Sequence, residues 1–413
     1  MMKKSYLILT LTTVLIAGCN PTSSSSSETL IPLPNVVISK LFTASPTRNN
    51  LIELYNPTNA SIALSGVSLD FYNNGSNDIT NQILLNGQIE ALGYYVVGGS
   101  AHDSVDVKNK MDFQLETGSL PFNGDDAIRL TQGNRVIDAI GVIGFDIAYS
   151  TNQTLIRLGD KENHQASPTY NRFQFISYLP NLFEYLKNDL HEIKSHDQLY
   201  EGPRLESRYA TYPFVQTGST TIGGGGYVET TNVSIADGDT ATFAPSGAFP
   251  GNSVRYYYIN TPEVDGNYVR AEPWGYVASK YNKEFVMRNA SQSVFYIQSI
   301  MGGGLKEVNN RALALVWVNQ QLAQFLIVRE GLSENVASDF TQIDLNFSYK
   351  NVPYLYFLQY AENMAKINGW GTKGFPSNPQ GEKSPDWNYL ANGGVGALAT
   401  QSPIWSPKLP LPW

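Results

Sequence analysis

Short hydrophobic segments separated by polar turns dominate the first half of the chain. Four of them are 4–6 residues long, alternate or run apolar, and are separated by stretches with Asn, Gly and Asp turns: residues 36–41, 51–55, 93–97 and 127–130. This pattern is typical of β-strands joined by tight turns. It predicts a β-sandwich over residues 35–158.

The pattern changes after residue 158. Apolar side chains three and four positions apart in 175–179 and 182–190, with Pro180 between them, predict a helix. Residues 159–226 are therefore predicted to be a helical linker region. It ends in four glycines, 223–226, with no Gly-Lys-Ser/Thr after them, so the run is interpreted as a linker and not as a phosphate loop.

Residues 227–370 contain both strand-like segments and segments with helical spacing of apolar residues. Strands are predicted at 228–235, 240–243, 254–259, 293–300 and 312–318, and helices at 276–288, 321–331 and 354–367. Five strands with three helices packed on them predict a small barrel. Residues 371–413 are rich in Pro, Gly and Trp and show neither period, so a tail that wraps the barrel and a disordered tail both remain open.

Composition limits the class of protein. Of 413 residues, 42% are hydrophobic and 15% are charged, which excludes a disordered chain and, at this length, favours two domains with connecting segments. The net charge of −8 excludes a protein that coats nucleic acid through overall basicity. Any phosphate binding must therefore be local.

The N-terminus has the form of an export signal. Lys3 and Lys4 precede an apolar run, 6–17, that is too short to cross a bilayer. The run ends in Ile-Ala-Gly-Cys, which resembles a bacterial lipobox, and Cys19 is the only cysteine. We expect a signal peptide over 1–18, a lipid on Cys19, a Ser-rich tether over 19–34, and a location on the bacterial cell membrane facing outside the cytoplasm. A plain signal peptide with a chance cysteine is the alternative.

Several segments of the first half resemble the lamin-tail domain. They are Ile-Glu-Leu-Tyr-Asn-Pro at 52–57, Ala-Leu-Ser-Gly-Val-Ser-Leu at 63–69, Gly-Asp-Asp-Ala-Ile-Arg-Leu at 124–130 and Val-Ile-Asp at 136–138. The resemblance implies an immunoglobulin-like β-sandwich. It indicates a fold and not a reaction.

An ordered set of motifs in the second half resembles the thermonuclease family. The set comprises Asp-Gly-Asp-Thr at 237–240, Val-Arg at 254–255, Thr-Pro-Glu at 261–263, Asn-Arg-Ala-Leu-Ala at 310–314, Val-Arg-Glu-Gly-Leu at 328–332, Ala-Glu at 361–362 and Gly-Trp at 369–370. The resemblance implies an α+β OB-fold barrel with three packed helices. The expected fold class is therefore multidomain and β-rich, a sandwich followed by this barrel.

The resemblance also implies a catalytic site. Glu263 would be the general base that activates water, and Arg255 and Arg311 would clamp the phosphate. Asp239 and the carbonyl of Thr261 would bind Ca²⁺, a cation that prefers oxygen ligands. The four histidines all precede residue 227, which disfavours a histidine-dependent metal nuclease.

One position departs from the family. Asn260 stands where a second ligand aspartate is usual, and an amide oxygen can bind the metal but adds no charge. Weaker Ca²⁺ binding, a site adapted to Mg²⁺ or Mn²⁺, and a decayed site all remain open.

Together these features predict a surface-anchored, Ca²⁺-dependent nuclease that hydrolyses extracellular DNA and RNA. Residues 226–370 carry 10 Lys and Arg against 13 Asp and Glu, so the metal, the two arginines and stacking on tyrosines such as 256–258 would hold the substrate. The membrane is a partner through the lipid, and no obligate protein partner is predicted. The alternatives are a non-catalytic nucleic-acid-binding lipoprotein and a structural adhesin.

Overall fold

The computed structural model describes residues 34–264, 272, 274–287, 293–307, 309–338 and 341–373. The predicted signal peptide, Cys19, nearly all of the tether and the tail from residue 374 lie outside the described residues. None of the helices described is long and apolar enough to span a bilayer.

The first half folds as two antiparallel-rich sheets. The elements are β1 (Val37–Thr43), β2 (Leu51–Tyr55), β3 (Ile62–Ala63), β4 (Val67–Tyr72), β5 (Asn81–Leu84), β6 (Gln88–Ile89), β7 (Tyr94–Gly99), α1 (Val105–Lys108), β8 (Phe113–Leu115), β9 (Ala127–Gln132), β10 (Arg135–Ile140), β11 (Gln153–Arg157), β12 (Phe175–Tyr178) and α2 (His196–Glu201). The first sheet has the spatial order β12-β11-β1-β2-β7-β8 and the second has the order β10-β9-β4-β5, with a small ribbon of β3 and β6 beside them.

The second half is built on a curled sheet. Its elements are β13 (Tyr227–Thr230), β14 (Asn232–Ile235), β15 (Thr240–Phe243), β16 (Asn252–Tyr256), β17 (Ile259–Asn260), α3 (Gly275–Tyr281), β18 (Phe295–Ser299), β19 (Ala312–Val318), β20 (Gln321–Leu322), α4 (Ala323–Arg329), β21 (Asn335–Val336), β22 (Ser348–Tyr349), β23 (Val352–Pro353) and α5 (Tyr354–Asn368). The strand order in the sheet is β13-β18-β19-β16-β15-β14, with β20 beside β19. Since β13 and β14 are consecutive in the chain but lie at opposite ends of this order, the sheet closes at Thr231. This is the multidomain, β-rich fold class that the sequence predicts.

The helix predicted over 175–190 is wrong. Residues 175–178 form β12, which pairs with β11 at the edge of the first sheet, and only a single 3₁₀ turn, Phe183–Tyr185, follows. The apolar residues contact two different surfaces, because Phe183 and Leu186 pack on Phe42 of β1 whereas Ile176 and Tyr178 join the core of the barrel. Helical spacing here reflects two packing surfaces and not one helix.

The segment between sandwich and barrel is part of a shared core. The Tyr356 hydroxyl of α5 donates to the Phe175 carbonyl of β12 at 2.8 Å, and His196 lies 2.9 Å from the Tyr360 hydroxyl. The Arg329 guanidinium donates to the Tyr200 carbonyl at 3.1 Å. Residues 172–226 therefore cover the helices of the barrel and do not form a free connector.

The interpretation of the glycine run as a linker is also wrong. All four glycines are buried, and the Gly224 and Gly226 amides donate to the Phe214 and Pro213 carbonyls at 3.0 and 3.1 Å. A Cβ on Gly226 would lie 2.0 Å from the Tyr212 carbonyl oxygen. Glycine is required here because two backbone segments approach each other too closely for any side chain.

We expect Gly226→Ala to lower the free energy of unfolding by about 1–3 kcal/mol, because the added methyl group forces the Tyr212 backbone to move. Gly304→Ala is the matched control, since its Cβ would approach only the Lys306 carbonyl, at 3.4 Å. Urea unfolding of both variants measures the difference. Equal stabilities would show that the run tolerates a side chain, as a linker does.

Candidate active site

Asp239 lies at the centre of the candidate site. It follows a turn in which the Asp237 carboxylate accepts the Asp239 amide at 3.0 Å. Gly238 fits this turn because a Cβ there would lie 2.6 Å from the Thr261 hydroxyl and 2.8 Å from the Ala278 methyl group. The turn directs the Asp239 side chain into the barrel, where it is fully buried.

Both oxygens of the Asp239 carboxylate have partners. Oδ1 forms an ion pair with the Arg255 guanidinium of β16, and Oδ2 accepts the Thr261 amide at 2.6 Å. The Thr240 hydroxyl also donates to Oδ1, at 3.2 Å. Burial lowers the pKa of Arg255, and the charge of Asp237 opposes that shift. A buried carboxylate is thus matched by one cation and two further donors, as burial of a charge requires.

Asn260 is held by a charged neighbour on each side. Its Oδ1 accepts from the Arg255 guanidinium, and its Nδ2 donates to the Glu334 carboxylate at 3.2 Å. Its backbone carbonyl accepts the Glu334 amide at 2.7 Å. An aspartate at position 260 would be repelled by the Glu334 carboxylate. The neutral amide of Asn260 instead donates a hydrogen bond to that carboxylate.

Glu263 lies in the field of both arginines. Burial and the charge of Asp237 raise its pKa, whereas Arg255 and Arg311 oppose the rise. Its amide donates to the Glu272 carboxylate at 2.9 Å. The carbonyl of Glu263 lies against the start of α3, where a Cβ on Gly275 would be only 1.9 Å away. This close approach fixes the backbone that carries Glu263.

Arg311 reaches the site from the residue before β19. Its guanidinium donates to the Thr240 hydroxyl at 3.2 Å and pairs with the Glu307 carboxylate at 2.9 Å. The side chain is 28% exposed, so it can still reach a ligand in solvent. Arg311 therefore contacts the residue next to Asp239, and its guanidinium is partly open to solvent.

The structure brings the predicted site residues together from separate segments of the barrel. Arg255 contacts Asp239 and Asn260, and Asp239 also contacts Thr261. Arg311 is connected to this group through Thr240. The charges of Arg255 and Arg311 both oppose the rise in the pKa of Glu263 that burial causes. Of the three adjacent tyrosines, Tyr256 and Tyr258 are buried and Tyr257 is partly exposed, so only Tyr257 presents a ring outward.

The donors assigned to a metal are all oxygens, which suits a hard cation such as Ca²⁺. They are the Asp239 carboxylate, the Asn260 amide oxygen and the Thr261 carbonyl. Arg255 engages the first two, so a bound cation would replace contacts that the guanidinium makes. Within the described ranges, no group of three or more His, Cys, Asp or Glu side chains is arranged to hold a metal.

Sequence reasoning missed Glu334 and Glu272. Glu334 follows the Val-Arg-Glu-Gly-Leu motif by two residues and contacts Asn260 only because β21 pairs with β17. The Glu272 carboxylate accepts the Glu263 amide at 2.9 Å. Nothing in the sequence spacing marks either residue as part of the site.

Comparison with protein families matches two parts of the chain. Residues 31–144 match the Lamin Tail Domain model, and residues 253–367 match the model described as Staphylococcal nuclease homologue. No curated protein sequence matches the chain. The second match begins after Asp239, which the structure adds to the site through Arg255 and Thr261. The chain therefore carries a lamin tail domain followed by a nuclease-like domain of the staphylococcal nuclease family.

Proposed function

We propose that this protein is a surface-anchored, metal-dependent nuclease that hydrolyses phosphodiester bonds of extracellular DNA and RNA. Ca²⁺ is the expected metal, with Mg²⁺ and Mn²⁺ as alternatives because Asn260 adds no charge. The observation that carries the proposal is that Arg255 pairs with the buried Asp239 carboxylate, Arg311 contacts the adjacent Thr240, and the charges of both arginines act on the pKa of Glu263. These are a cationic clamp and a base, the groups that phosphodiester hydrolysis needs.

In this proposal Glu263 takes a proton from a water molecule as the water oxygen attacks phosphorus. The ester P–O bond breaks, and the leaving oxygen takes a proton from solvent. A carboxyl whose pKa is raised by burial is a better base than an exposed one. Arg255 and Arg311 donate hydrogen bonds to the phosphate oxygens, and bound Ca²⁺ supplies further neutralisation of phosphate charge.

A second candidate is a nucleic-acid-binding surface protein without turnover. The observation that favours it is that Arg255 contacts both side chains assigned to the metal, Asp239 and Asn260. Release of nucleotides from DNA and RNA by the full chain, with Ca²⁺ and with EDTA, separates the two. Gel retardation of DNA without release of nucleotides supports the second candidate.

We expect Glu263→Gln to lower the turnover rate about 10²–10⁴-fold, because the amide cannot accept the proton from water. Arg311→Ala should lower turnover about 10²-fold or more by removing charge stabilisation. Initial rates of DNA hydrolysis at saturating Ca²⁺ measure both effects. Glu229→Gln, an exposed position on β13, is the control and should leave the rate unchanged. Parental rates in both site variants would refute the assignment.

We expect Asn260→Asp to lower the Ca²⁺ concentration for half-maximal activity roughly tenfold, equivalent to about 1.4 kcal/mol, because a charged ligand is added. Glu334 lies 3.2 Å from the Asn260 amide nitrogen and would repel the new carboxylate. The double variant Asn260→Asp/Glu334→Gln should therefore shift the titration further than the single variant.

Asn335→Asp is the control for this titration. It adds the same charge at an exposed position directly opposite Asn260 on β21, at a side chain that is not assigned to the metal. Its Ca²⁺ titration should therefore shift less than that of Asn260→Asp, because the added charge acts near the metal without ligating it. Superimposable curves for the parent and Asn260→Asp would show that residue 260 does not bind the metal.

The proposed anchor is tested at Cys19. Because a lipid thioether requires the thiol, we expect Cys19→Ser to move the protein from the membrane fraction to the soluble fraction of cells. Ser25→Ala, in the tether, is the control. Unchanged partitioning of Cys19→Ser into detergent would contradict a lipid anchor at this residue.

A further inference from the structure

Asn260 differs from the other candidate metal ligands because only one of its two side-chain polar atoms can bind a cation. Either oxygen of a carboxylate can do so, and a backbone carbonyl has a fixed direction. An amide side chain, in contrast, presents either an oxygen or an NH₂ group, according to how it is turned. The affinity of this site for a metal therefore depends on what fixes the Asn260 amide.

Two charged neighbours fix the direction of the Asn260 amide. Oδ1 accepts from the Arg255 guanidinium, which can only donate, and Nδ2 donates at 3.2 Å to the Glu334 carboxylate, which accepts when ionised. If the amide turned over, its NH₂ group would face the guanidinium and its oxygen would face the carboxylate. Both hydrogen bonds would be lost, so these contacts favour one orientation.

The favoured orientation places Oδ1 of Asn260 on the same side as the buried carboxylate of Asp239. The Arg255 guanidinium contacts Oδ1 of Asp239 through one terminal nitrogen and Oδ1 of Asn260 through the other. The two oxygens therefore face one cation, whereas Nδ2 and Glu334 lie at the other end of the amide group. A metal ion that took over the contacts of the guanidinium would leave the hydrogen bond from Nδ2 to Glu334 in place.

The backbone of Glu334 is held at both of its polar groups. Its amide donates to the Asn260 carbonyl at 2.7 Å, and its carbonyl accepts from the Lys373 ammonium group at 2.6 Å. That ammonium group also pairs with the Glu362 carboxylate of α5 at 2.8 Å, and the Lys373 side chain is only 10% exposed. The residue that precedes β21 is thus tied to β17 on one side and to α5 on the other.

We propose that Glu334 is a positioning residue of the metal site, whose carboxylate holds Nδ2 of Asn260 and so keeps Oδ1 directed towards the metal. The proposal rests on the proposed function, because it takes Asn260 as a metal ligand. Glu334 also supplies, next to the amide, the negative charge that Asn260 lacks. An aspartate at position 260 would need no such partner, since both of its oxygens are acceptors.

Two substitutions of Glu334 separate its hydrogen bond from its charge. Glu334→Gln removes the charge but keeps an oxygen that can accept from Nδ2 of Asn260, whereas Glu334→Leu removes both. Calorimetric titration of Ca²⁺ into the full chain measures the affinity of each variant. We expect Glu334→Leu to bind Ca²⁺ about tenfold more weakly than Glu334→Gln, because a partner that orients a ligand contributes about 10–100-fold to metal affinity.

The Asn260→Asp background supplies a readout that a merely structural role would not move. With an aspartate at 260 there is no amide to orient, so Glu334→Gln and Glu334→Leu should bind Ca²⁺ equally well. Damage to the pairing of β21 would instead lower the affinity of the leucine variant in both backgrounds. Asn335→Leu, the same kind of change at an exposed position on β21, is the control and should keep the parental affinity.

Equal affinities of Glu334→Gln and Glu334→Leu with Asn260 in place overturn the proposal, and so does the same difference between them in both backgrounds. If urea unfolding shows that Glu334→Leu does not fold, Glu334→Ala takes its place, because it also removes the acceptor. A parent that binds no Ca²⁺, Mg²⁺ or Mn²⁺ overturns the metal assignment and this proposal together. The expected pattern of affinities without release of nucleotides refutes the nuclease and supports this proposal.

Discussion

The buried carboxylate of Asp239 is the constraint on which the barrel site depends. A carboxylate removed from water is tolerated only when its charge and lone pairs are matched, and an uncompensated one costs several kcal/mol. Asp239 meets this requirement with the guanidinium of Arg255 and the amide of Thr261, which belong to a strand and to the loop after the next strand. The contact that compensates the buried charge therefore also places Arg255, a candidate catalytic group, beside Asp239.

The segment that neither family model covers packs the lamin tail part and the nuclease-like part together. Residues 145–252 lie between the two matches, yet they supply β11, β12, α2, the buried glycine run and Asp239 itself. The same segment packs on the first sheet through Phe183 and Leu186. Hydrophobic residues of β12 and of the barrel helices form a continuous core. The lamin tail and nuclease-like parts are therefore packed as one body over this segment, and their mutual position is set by buried contacts.

The spacing of apolar residues predicted the strands and helices whose apolar side chains all pack against a single surface. β19 matches the predicted strand 312–318, and α5 (Tyr354–Asn368) extends the predicted helix 354–367 by one residue. The candidate site residues could be predicted because each lies in or beside a short motif that resembles a known family. Glu334 could not be found in this way, since it contacts Asn260 only through strand pairing. The glycine run was misinterpreted because its close approach to Tyr212 is a tertiary constraint.

The position of β12 has a consequence for solubility. As the outermost strand of the first sheet, it has a side that no strand of that sheet covers, and exposed edges recruit other chains by β-pairing. Here the Tyr356 hydroxyl donates a hydrogen bond to the Phe175 carbonyl of β12, and the Leu179 amide donates to the Asn351 carbonyl, which lies just before β23. Pro353 in β23 has no amide to continue a ladder. The nuclease-like part thus shields the sandwich edge, and a lamin tail domain separated from it would present an edge able to polymerise.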